Sequence, residues 1–277
     1  DYAVLKPILN EAGMEIELFG PADFDTRTEV ELATIENLIT SGEWDVIMLY
    51  ADEPDAFVDL RLKSEQAGIP WIGYIMPEST NCGTVFIGDT PEQRAIANYE
   101  KIIEYVEAHQ DLYKDLEVIE VAVAGHPSNE NCDYRCAYTG TLLEANTDYN
   151  FKVVYNQGAV GADAGVTFAE NCLQAHPDVK IWLANADDAA IGIYQALNNA
   201  GKGSDPDQII TGIDAGTSFR ELCAAGTAFR FSSYCTSVSC AETLLEVVPK
   251  LCNGEYAYQE SIAIPTTTVS LENIDVK

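Results

Sequence analysis

Residues 163–213 carry the pattern that decides the fold: DAGVTFAENCLQAHPDVKIWLANADDAAIGIYQALNNAGKGSDPDQIITGI. An amphipathic stretch over 163–175 ends at His176-Pro177, and the apolar run Lys180–Ala184 follows it. A second amphipathic stretch over 187–200 leads to the run Gln208–Thr211. Helical periodicity that alternates with short apolar runs predicts βα units, in which parallel strands are covered on both faces.

The same alternation extends along the rest of the chain. Further helices are predicted over 2–12, 27–41, 54–67, 91–108, 131–146, 216–225 and 237–252. Further strands are predicted at Glu15–Phe19, Asp45–Leu49, Trp71–Ile75, Val118–Ala124, Phe151–Tyr155, Phe229–Ser232, Ser261–Ile264 and Thr267–Ser270. We therefore predict an α/β protein built on doubly wound parallel sheets.

The composition narrows the classes of partner. The chain has 277 residues, with 45 acidic and 15 basic side chains and a formal net charge of −30. Such a charge repels phosphate backbones and anionic lipid surfaces, so nucleic acid and membrane surfaces are poor candidate partners. No run approaches the roughly 20 apolar residues of a membrane-spanning helix. The length allows two lobes of roughly 130 residues each.

The eight cysteines allow two interpretations of the compartment in which the protein resides. No two cysteines have the C-x-x-C spacing, and none of the three histidines lies close in sequence to a cysteine pair, which argues against a zinc site. The chain could be cytosolic with buried thiols, or exported with disulfides, and the even count favours the exported form. The eight positions are Cys82, Cys132, Cys136, Cys172, Cys223, Cys235, Cys240 and Cys252.

The chain opens on a helical segment at Tyr2, whereas each later predicted helix follows a strand. In a doubly wound sheet the first strand lies in the interior, so its loss would leave backbone groups unpaired. We therefore expect that the first strand is absent from this sequence, which would start about 20 residues inside the domain. Alternatively, another segment fills its place.

Five stretches together resemble a known family. In chain order they resemble the simple-sugar (ribose, glucose, galactose) solute-binding proteins of ABC importers, which have the type I periplasmic-binding-protein fold. The run from 170 to 197 is the most specific of them. The stretches are Gly20–Asp25 with Glu36–Ile39 and Trp44–Ile47, Gln66–Ile72, Phe86–Asp89, Glu170–Val179 with Asp187–Leu197, and Ile210–Gly216.

The resemblance implies two α/β lobes joined by three crossings, with a hinge and an interlobe ligand cleft at the carboxyl ends of the strands. The expected N-terminal lobe is 1–88 plus 235–264, and the expected C-terminal lobe is 89–234 plus 265–277. The cysteines then divide four and four between the lobes. Disulfides confined to one lobe would leave such a hinge free to move.

The resemblance also implies four ligand-binding positions, each with a structural alternative. Asp214 follows a strand and would accept hydrogen bonds from sugar hydroxyls, or would cap the next helix. Arg135 would donate to hydroxyl oxygens, or would form a surface ion pair. Tyr2 would stack on a sugar ring, or would pack at the N-terminus. Tyr234 would bind ligand, or would pack in the hinge.

Four further positions are weaker candidates. Asn185 lies one residue before the place of the family's helix-capping asparagine, and Asp187 fits a helix cap better than a ligand contact. Glu78 and Asn131 lie in loops that could supply polar groups the family pattern lacks here. Solvated loop positions are the alternative for both.

Three departures from the family pattern affect these positions. Ile75-Met76 replaces a charged pair, Ala186 replaces the capping asparagine, and residues 158–161 lack an aromatic side chain. Each loss removes a hydrogen-bonding or stacking partner, so ordinary hexose binding would weaken by orders of magnitude unless other side chains replace them.

No nucleophile, phosphate-loop or metalloprotease motif is present, so an enzyme is not expected, and neither a cofactor nor a metal is predicted. We predict an exported solute-binding protein that closes two lobes over a small polar ligand, a sugar or a polyol. Its partner would be an ABC transporter permease or a sensor, without insertion into the membrane. The alternative is an extracellular structural or interaction domain that kept the fold and lost ligand binding.

Overall fold

The computed structural model of the protein describes residues 2–20, 27–51, 53–75 and 81–276. These residues form two compact units. Unit 1 contains the described residues of 1–89 and 235–265, and unit 2 contains 90–234 and 266–276. The chain passes from one unit to the other after Asp89, Tyr234 and Pro265.

Unit 1 is built on a four-stranded parallel sheet. Its elements are α1 (Tyr2–Glu11), α2 (Arg27–Ser41), β1 (Ile47–Leu49), a 3₁₀ turn (Pro54–Phe57), α3 (Val58–Gln66), β2 (Trp71–Tyr74), β3 (Val85–Gly88), α10 (Ser237–Cys252) and β9 (Glu260–Ala263). The strand order is β1-β2-β3-β9, and every neighbouring pair is parallel. Successive side chains of a strand point to opposite faces. Trp71 accordingly packs in one core with α2 and α3, and Ile72 packs in another with α1 and α10.

Unit 2 is built on a six-stranded sheet. Its elements are α4 (Pro91–Ala108), α5 (Gln110–Tyr113), β4 (Ile119–Gly125), α6 (Glu130–Glu144), β5 (Phe151–Gly158), α7 (Ala162–Ala175), β6 (Ile181–Ala184), α8 (Asp187–Asn199), β7 (Ile209–Ile213), α9 (Thr217–Ala224), β8 (Phe229–Cys235), β10 (Thr266–Val269) and a 3₁₀ turn (Leu271–Asn273). The strand order is β10-β8-β7-β6-β4-β5. Every residue of β6 and β7 is buried, as expected for central strands with helices on both faces.

Side-chain caps are present at the N-termini of α4 and α6 in unit 2. Thr90 and Gln93 form a capping box at α4, with Pro91 at its first position. The Asn129 side chain accepts a 3.0 Å hydrogen bond from the Cys132 N–H at the start of α6. None of the described helices is long and apolar enough to cross a lipid bilayer.

The backbones of α7 and α8 approach each other closely. A Cβ atom at Gly192 would lie 2.0 Å from the Ala162 carbonyl oxygen, and one at Gly165 would lie 2.3 Å from the Ala189 carbonyl oxygen. Only hydrogen fits at either position, so these glycines allow the contact. This packing fixes the N-terminal end of α8, which carries Asp187.

The prediction of doubly wound parallel sheets is confirmed, with two differences in detail. The predicted strand Glu15–Phe19 lies in no sheet, because no strand pairs with it among the described residues. Its Leu18 side chain is 69% exposed. Conversely, β3 was not predicted as a strand, since its four residues between glycines carry too short a pattern.

The prediction of disulfides is wrong. Among the described residues, which include all eight cysteines, no disulfide joins any pair. Six of the cysteines are buried, and they are divided among four separate cores. Burial raises the pKa of the Cys172 thiol to about 12. An even count says nothing about which sulfur atoms meet, and that is why parity misled.

Candidate functional site

Polar side chains gather where the parallel strands of unit 2 end. His126 follows β4, Asn185 follows β6, Asp214 follows β7, and Tyr234 is near the end of β8. The carboxyl ends of parallel strands share one edge of a sheet, and this edge is where open α/β sheets bind ligands. We therefore take the carboxyl edge of the unit 2 sheet as the candidate site.

Asp214 presents a carboxylate at this edge. Its side chain is 61% exposed, and its Oδ1 accepts a 3.2 Å hydrogen bond from Arg94 Nη1. Arg94 lies in the first turn of α4, and its side chain is only 6% exposed. The buried guanidinium therefore binds the carboxylate from the protein side and leaves its other side open to solvent. Because an ionised carboxyl has about four acceptor positions, Asp214 keeps the capacity to accept bonds from ligand hydroxyls.

The turn that carries Asp214 has an unusual backbone. Asp214 has φ 98° and Ala215 has φ 47°, two successive non-glycine residues with positive φ. Each such residue costs on the order of 1–3 kcal/mol and persists only when its surroundings enforce it. Such strain is concentrated at functional sites, which supports the choice of this turn.

Three hydrogen bonds enforce this turn. The Ala215 N–H donates to Ser232 Oγ at 2.8 Å, and the Gly216 N–H donates to Asp187 Oδ2 at 2.7 Å. Ser232 Oγ in turn donates to Asp187 Oδ1 at 2.6 Å. Asp187 therefore contacts the turn after β7, while the N-cap of its own helix is Ala186, which makes no side-chain capping bond.

The Asp187 carboxyl is buried, at 8% exposure. Its pKa is raised to about 7, mainly by burial; the bonds from Ser232 and Gly216 oppose this rise, and the neighbouring carboxylates Asp214 and Asp188 add to it. The ionised and the protonated carboxyl are therefore both accessible near neutral pH.

Asn185 joins the ends of three strands. Its Nδ2 donates to the carbonyl oxygens of Ala124, Gly125 and Ala159 at 2.9, 3.1 and 2.6 Å. The side chain is 2% exposed. Its amide group thus fixes the backbone at the ends of β4 and β6 and at the residue after β5.

Arg135 and Asn131 lie on α6. Arg135 Nη2 donates to Cys132 Sγ at 2.8 Å, and its Nε is buried with no hydrogen-bond partner among the described residues. His126 Nδ1 is buried in the same unpaired way. Asn131 is exposed at the second position of the helix. The carboxyl edge thus also carries nitrogen donors.

The Tyr234 hydroxyl is engaged within the protein. It donates to the Val276 carbonyl oxygen at 3.1 Å and accepts from Arg220 Nη2 at 3.1 Å. The side chain is 8% exposed and packs in the apolar core beside α7, α8 and α9. Its position at the strand end is as expected, but its polar atom points into unit 2.

The remaining two candidates are Tyr2 and Glu78. Tyr2 lies on α1 of unit 1, where its hydroxyl donates to the Ile16 carbonyl oxygen at 2.9 Å and accepts from Lys6 Nζ at 2.9 Å. Glu78 lies outside the described residues. Six of the eight candidates therefore lie on unit 2: Asn131, Arg135, Asn185, Asp187, Asp214 and Tyr234.

Sequence reasoning missed two participants, Arg94 and Ser232. The available signal for Arg94 was an arginine in the first turn of a helix that follows a strand. Ser232 carried no signal, because a serine in a predicted buried strand is read as a small side chain. Among the described residues no cluster of His, Cys, Asp or Glu could hold a metal ion.

A two-unit α/β chain with polar groups at the carboxyl edge of a parallel sheet has the architecture of a ligand-binding protein. The sequence profile of the periplasmic binding protein domain family matches residues 4–255. The chain belongs to this family, and the resemblance stated from the sequence is confirmed.

Individual relatives agree with this assignment. A protein of Rhizobium meliloti named as a rhizopine-binding protein is 27% identical over 243 residues, which cover 87% of this chain and 75% of that protein. A solute-binding protein of Bacillus halodurans with bound myo-inositol matches with a TM-score of 0.71 at 22% identity, covering 99% of this chain and 91% of that chain. One from Actinobacillus succinogenes with bound D-allose matches with a TM-score of 0.76 at 20% identity, covering 98% and 92%. These two likenesses show a shared fold.

Proposed function

We propose that this chain is an exported solute-binding protein that binds a small neutral polyhydroxylated ligand, a sugar or a polyol. Units 1 and 2 would be its two lobes, and the partner would be an ABC transporter permease or a sensor. Membership of the periplasmic binding protein domain family supports this proposal. The myo-inositol and D-allose bound by proteins of the same fold support the ligand class.

The exposed carboxylate of Asp214 is the observation that carries the proposal. A carboxylate held by a buried arginine and open to solvent suits hydroxyl donors, because bonds to a charged acceptor are stronger than those between neutral groups. A ligand with several hydroxyls could also use the donors on α6 and the loop after β4. The net charge of −30 disfavours an anionic ligand.

The test is calorimetric titration of the protein with myo-inositol, D-allose, D-arabinose and D-ribose. At least one of them should bind with one-to-one stoichiometry. Asp214→Asn should weaken that binding by at least about tenfold, because it removes charge-assisted hydrogen bonds of about 1.5–3 kcal/mol. Asparagine tolerates positive φ, so the turn should keep its shape.

Asp178→Asn is the matched control. Asp178 is an exposed carboxylate just before β6, at the opposite edge of the same sheet, so this variant should bind like the wild type. Failure of all four ligands to bind to the wild type would refute the proposed function. Equal affinities for the wild type and Asp214→Asn would show that Asp214 does not bind the ligand.

A further inference from the structure

We propose that Asp187 is a positioning residue for the ligand-binding carboxylate of Asp214. It would hold the turn after β7 through Ser232 and the Gly216 N–H without touching the ligand itself. This inference rests on the proposed function, because it takes Asp214 as an acceptor of ligand hydroxyls. Asp187 would thus be a buried group that controls ligand affinity without contacting the ligand.

The turn cannot keep its shape unaided. Two consecutive non-glycine residues, Asp214 and Ala215, have positive φ, and a relaxed backbone would turn the Asp214 side chain to another direction. The bonds from Ala215 to Ser232 and from Gly216 to Asp187 hold both amide groups on one side of the turn. Loss of these acceptors would release the strain and move the carboxylate.

The fit around Asp187 is tight. A Cβ atom on Gly212 would lie 2.2 Å from Asp187 Oδ1, so β7 has a glycine where the carboxylate packs against it. Ser232 is fully buried, with its hydroxyl between the turn and the carboxylate. The carboxylate, the hydroxyl and the two amide groups therefore form one connected network from α8 to the turn.

The charged groups around Asp187 lie on three helices and on the turn after β7. Asp188 is its neighbour on α8, and Asp214 lies on the turn, paired with Arg94 of α4. Arg220 of α9 donates from Nε to the Ala215 carbonyl oxygen at 2.9 Å. Arg94 thus binds the Asp214 side chain and Arg220 binds the Ala215 carbonyl oxygen, while Asp187 accepts from the Gly216 N–H.

The ionised and the protonated Asp187 differ in how they hold the turn. The carboxylate accepts from both Ser232 and Gly216, and bonds to a charged acceptor are shorter and stronger. The protonated carboxyl can still accept from Gly216, but it must donate to Ser232. Asp187→Asn reproduces the protonated arrangement, because its oxygen accepts from Gly216 and its NH₂ donates to Ser232. With the carboxyl pKa near 7, solution pH selects between the two arrangements.

The first experiment needs no ligand. We would follow the amide resonances of Ala215 and Gly216 by ¹H–¹⁵N NMR from pH 5 to pH 9. In the wild type both should shift with one midpoint near pH 7, as should the Asp214 side-chain carboxyl resonance. Asp187→Asn should abolish this transition. The matched variant Asp188→Asn, which changes an exposed carboxyl next in the sequence, should keep it with a slightly lower midpoint, because the Asp188 carboxylate helps to raise the Asp187 pKa. A transition that survives in Asp187→Asn would overturn the inference.

The second experiment measures affinity for the probe that binds most tightly among myo-inositol, D-allose, D-arabinose and D-ribose. Wild-type affinity should rise about fivefold as the pH increases through 7, reflecting the stronger bonds of the ionised carboxyl. The affinity of Asp187→Asn should be independent of pH and equal to the wild-type affinity at low pH. The affinity of Asp188→Asn should rise with pH as that of the wild type does. Ser232→Ala, a second route to a loosened turn, should weaken binding about tenfold or more at every pH.

The two proposals fail in different ways. If no probe binds to the wild type, the proposed function fails, while the NMR transition still decides whether Asp187 controls the turn. If a probe binds and its affinity in Asp187→Asn keeps the wild-type pH profile, Asp187 does not position Asp214. Linkage gives one further check, since a ligand that prefers the ionised form must lower the Asp187 pKa when it binds.

Discussion

At the amino edge of the unit 2 sheet, polar side chains stabilise a loop without positive φ, whereas at the carboxyl edge they hold a strained turn that presents the exposed carboxylate of Asp214. The amino edge is organised around the loop 205–208. The Tyr105 and Tyr113 hydroxyls donate to the Pro206 and Asp207 carbonyl oxygens at 2.8 and 3.1 Å. Arg230 donates to the Gln208 and Asp205 carbonyl oxygens and stacks over the Tyr105 ring, 4.7 Å from its centroid.

The two edges of the unit 2 sheet also differ in their backbone φ angles. Among the described residues of unit 2, the non-glycine residues with positive φ are Asp214 and Ala215, both at the carboxyl edge. One edge therefore uses side chains to stabilise a relaxed loop, and the other uses them to maintain a strained turn. Within the described residues of unit 2, backbone strain at non-glycine residues is therefore found at the edge at which a ligand would bind.

The largest expected effect is a loss of stability caused by disrupting the packing at the carboxyl edge of the unit 2 sheet. Gly212→Ala would place a methyl group 2.2 Å from Asp187 Oδ1 and 2.7 Å from the Phe229 ring. Because neither neighbour has room to move, we expect a loss of more than about 3 kcal/mol in the free energy of unfolding, measured with urea. Gly226→Ala is the control, since nothing lies within 4 Å and its φ of 71° adds only about 1 kcal/mol of strain. Equal losses in the two variants would contradict the tight packing around Asp187.

The second effect concerns the pH dependence of stability. The folded Asp187 pKa of about 7 lies above the value of 3.8 for an unperturbed carboxyl, so the folded protein holds this proton more tightly than the unfolded chain. The resulting stabilisation is complete below about pH 4 and is lost as the pH rises through 7. With a shift of about 3 pKa units at about 1.4 kcal/mol per unit, the free energy of unfolding should fall by on the order of 4 kcal/mol.

Urea unfolding of the wild type and of Asp187→Asn between pH 4 and pH 8 checks this. The difference between their unfolding free energies should follow the titration, since the variant lacks the ionisable group. A constant difference across this range would show that the folded pKa of Asp187 is not raised.

The third effect tests the amino edge. Arg230→Ala removes two hydrogen bonds and the contact with the Tyr105 ring, so stability should fall by about 2 kcal/mol. Ligand affinity should stay within about twofold of the wild type, because this edge lies away from Asp214. Arg230→Lys keeps the charge but loses the fork of donors, so it should recover only part of the stability. A large loss of affinity in Arg230→Ala would show that the two edges are coupled.

Much of the fold was predictable because it follows from local periodicity. Alternating amphipathic and apolar stretches predicted the parallel sheets, and this is confirmed. The position of Asp214 at a strand end also followed from the pattern, although its ligand role stays a prediction. Disulfides were predicted from a count, and the prediction failed because the distance between two sulfur atoms depends on how distant segments pack.

The sequence by itself determined the βα order, the family and the strand that ends at Asp214, because these depend on residues close together in the chain. Only the tertiary structure decided which groups meet there. Arg94 and Asp214 are 120 positions apart, and Asp187 and Ser232 are 45 positions apart. The pairing of strands in the order β8-β7-β6 brings Ser232, Asp214 and Asp187 to one edge of the sheet. Periodicity along the chain does not encode this order.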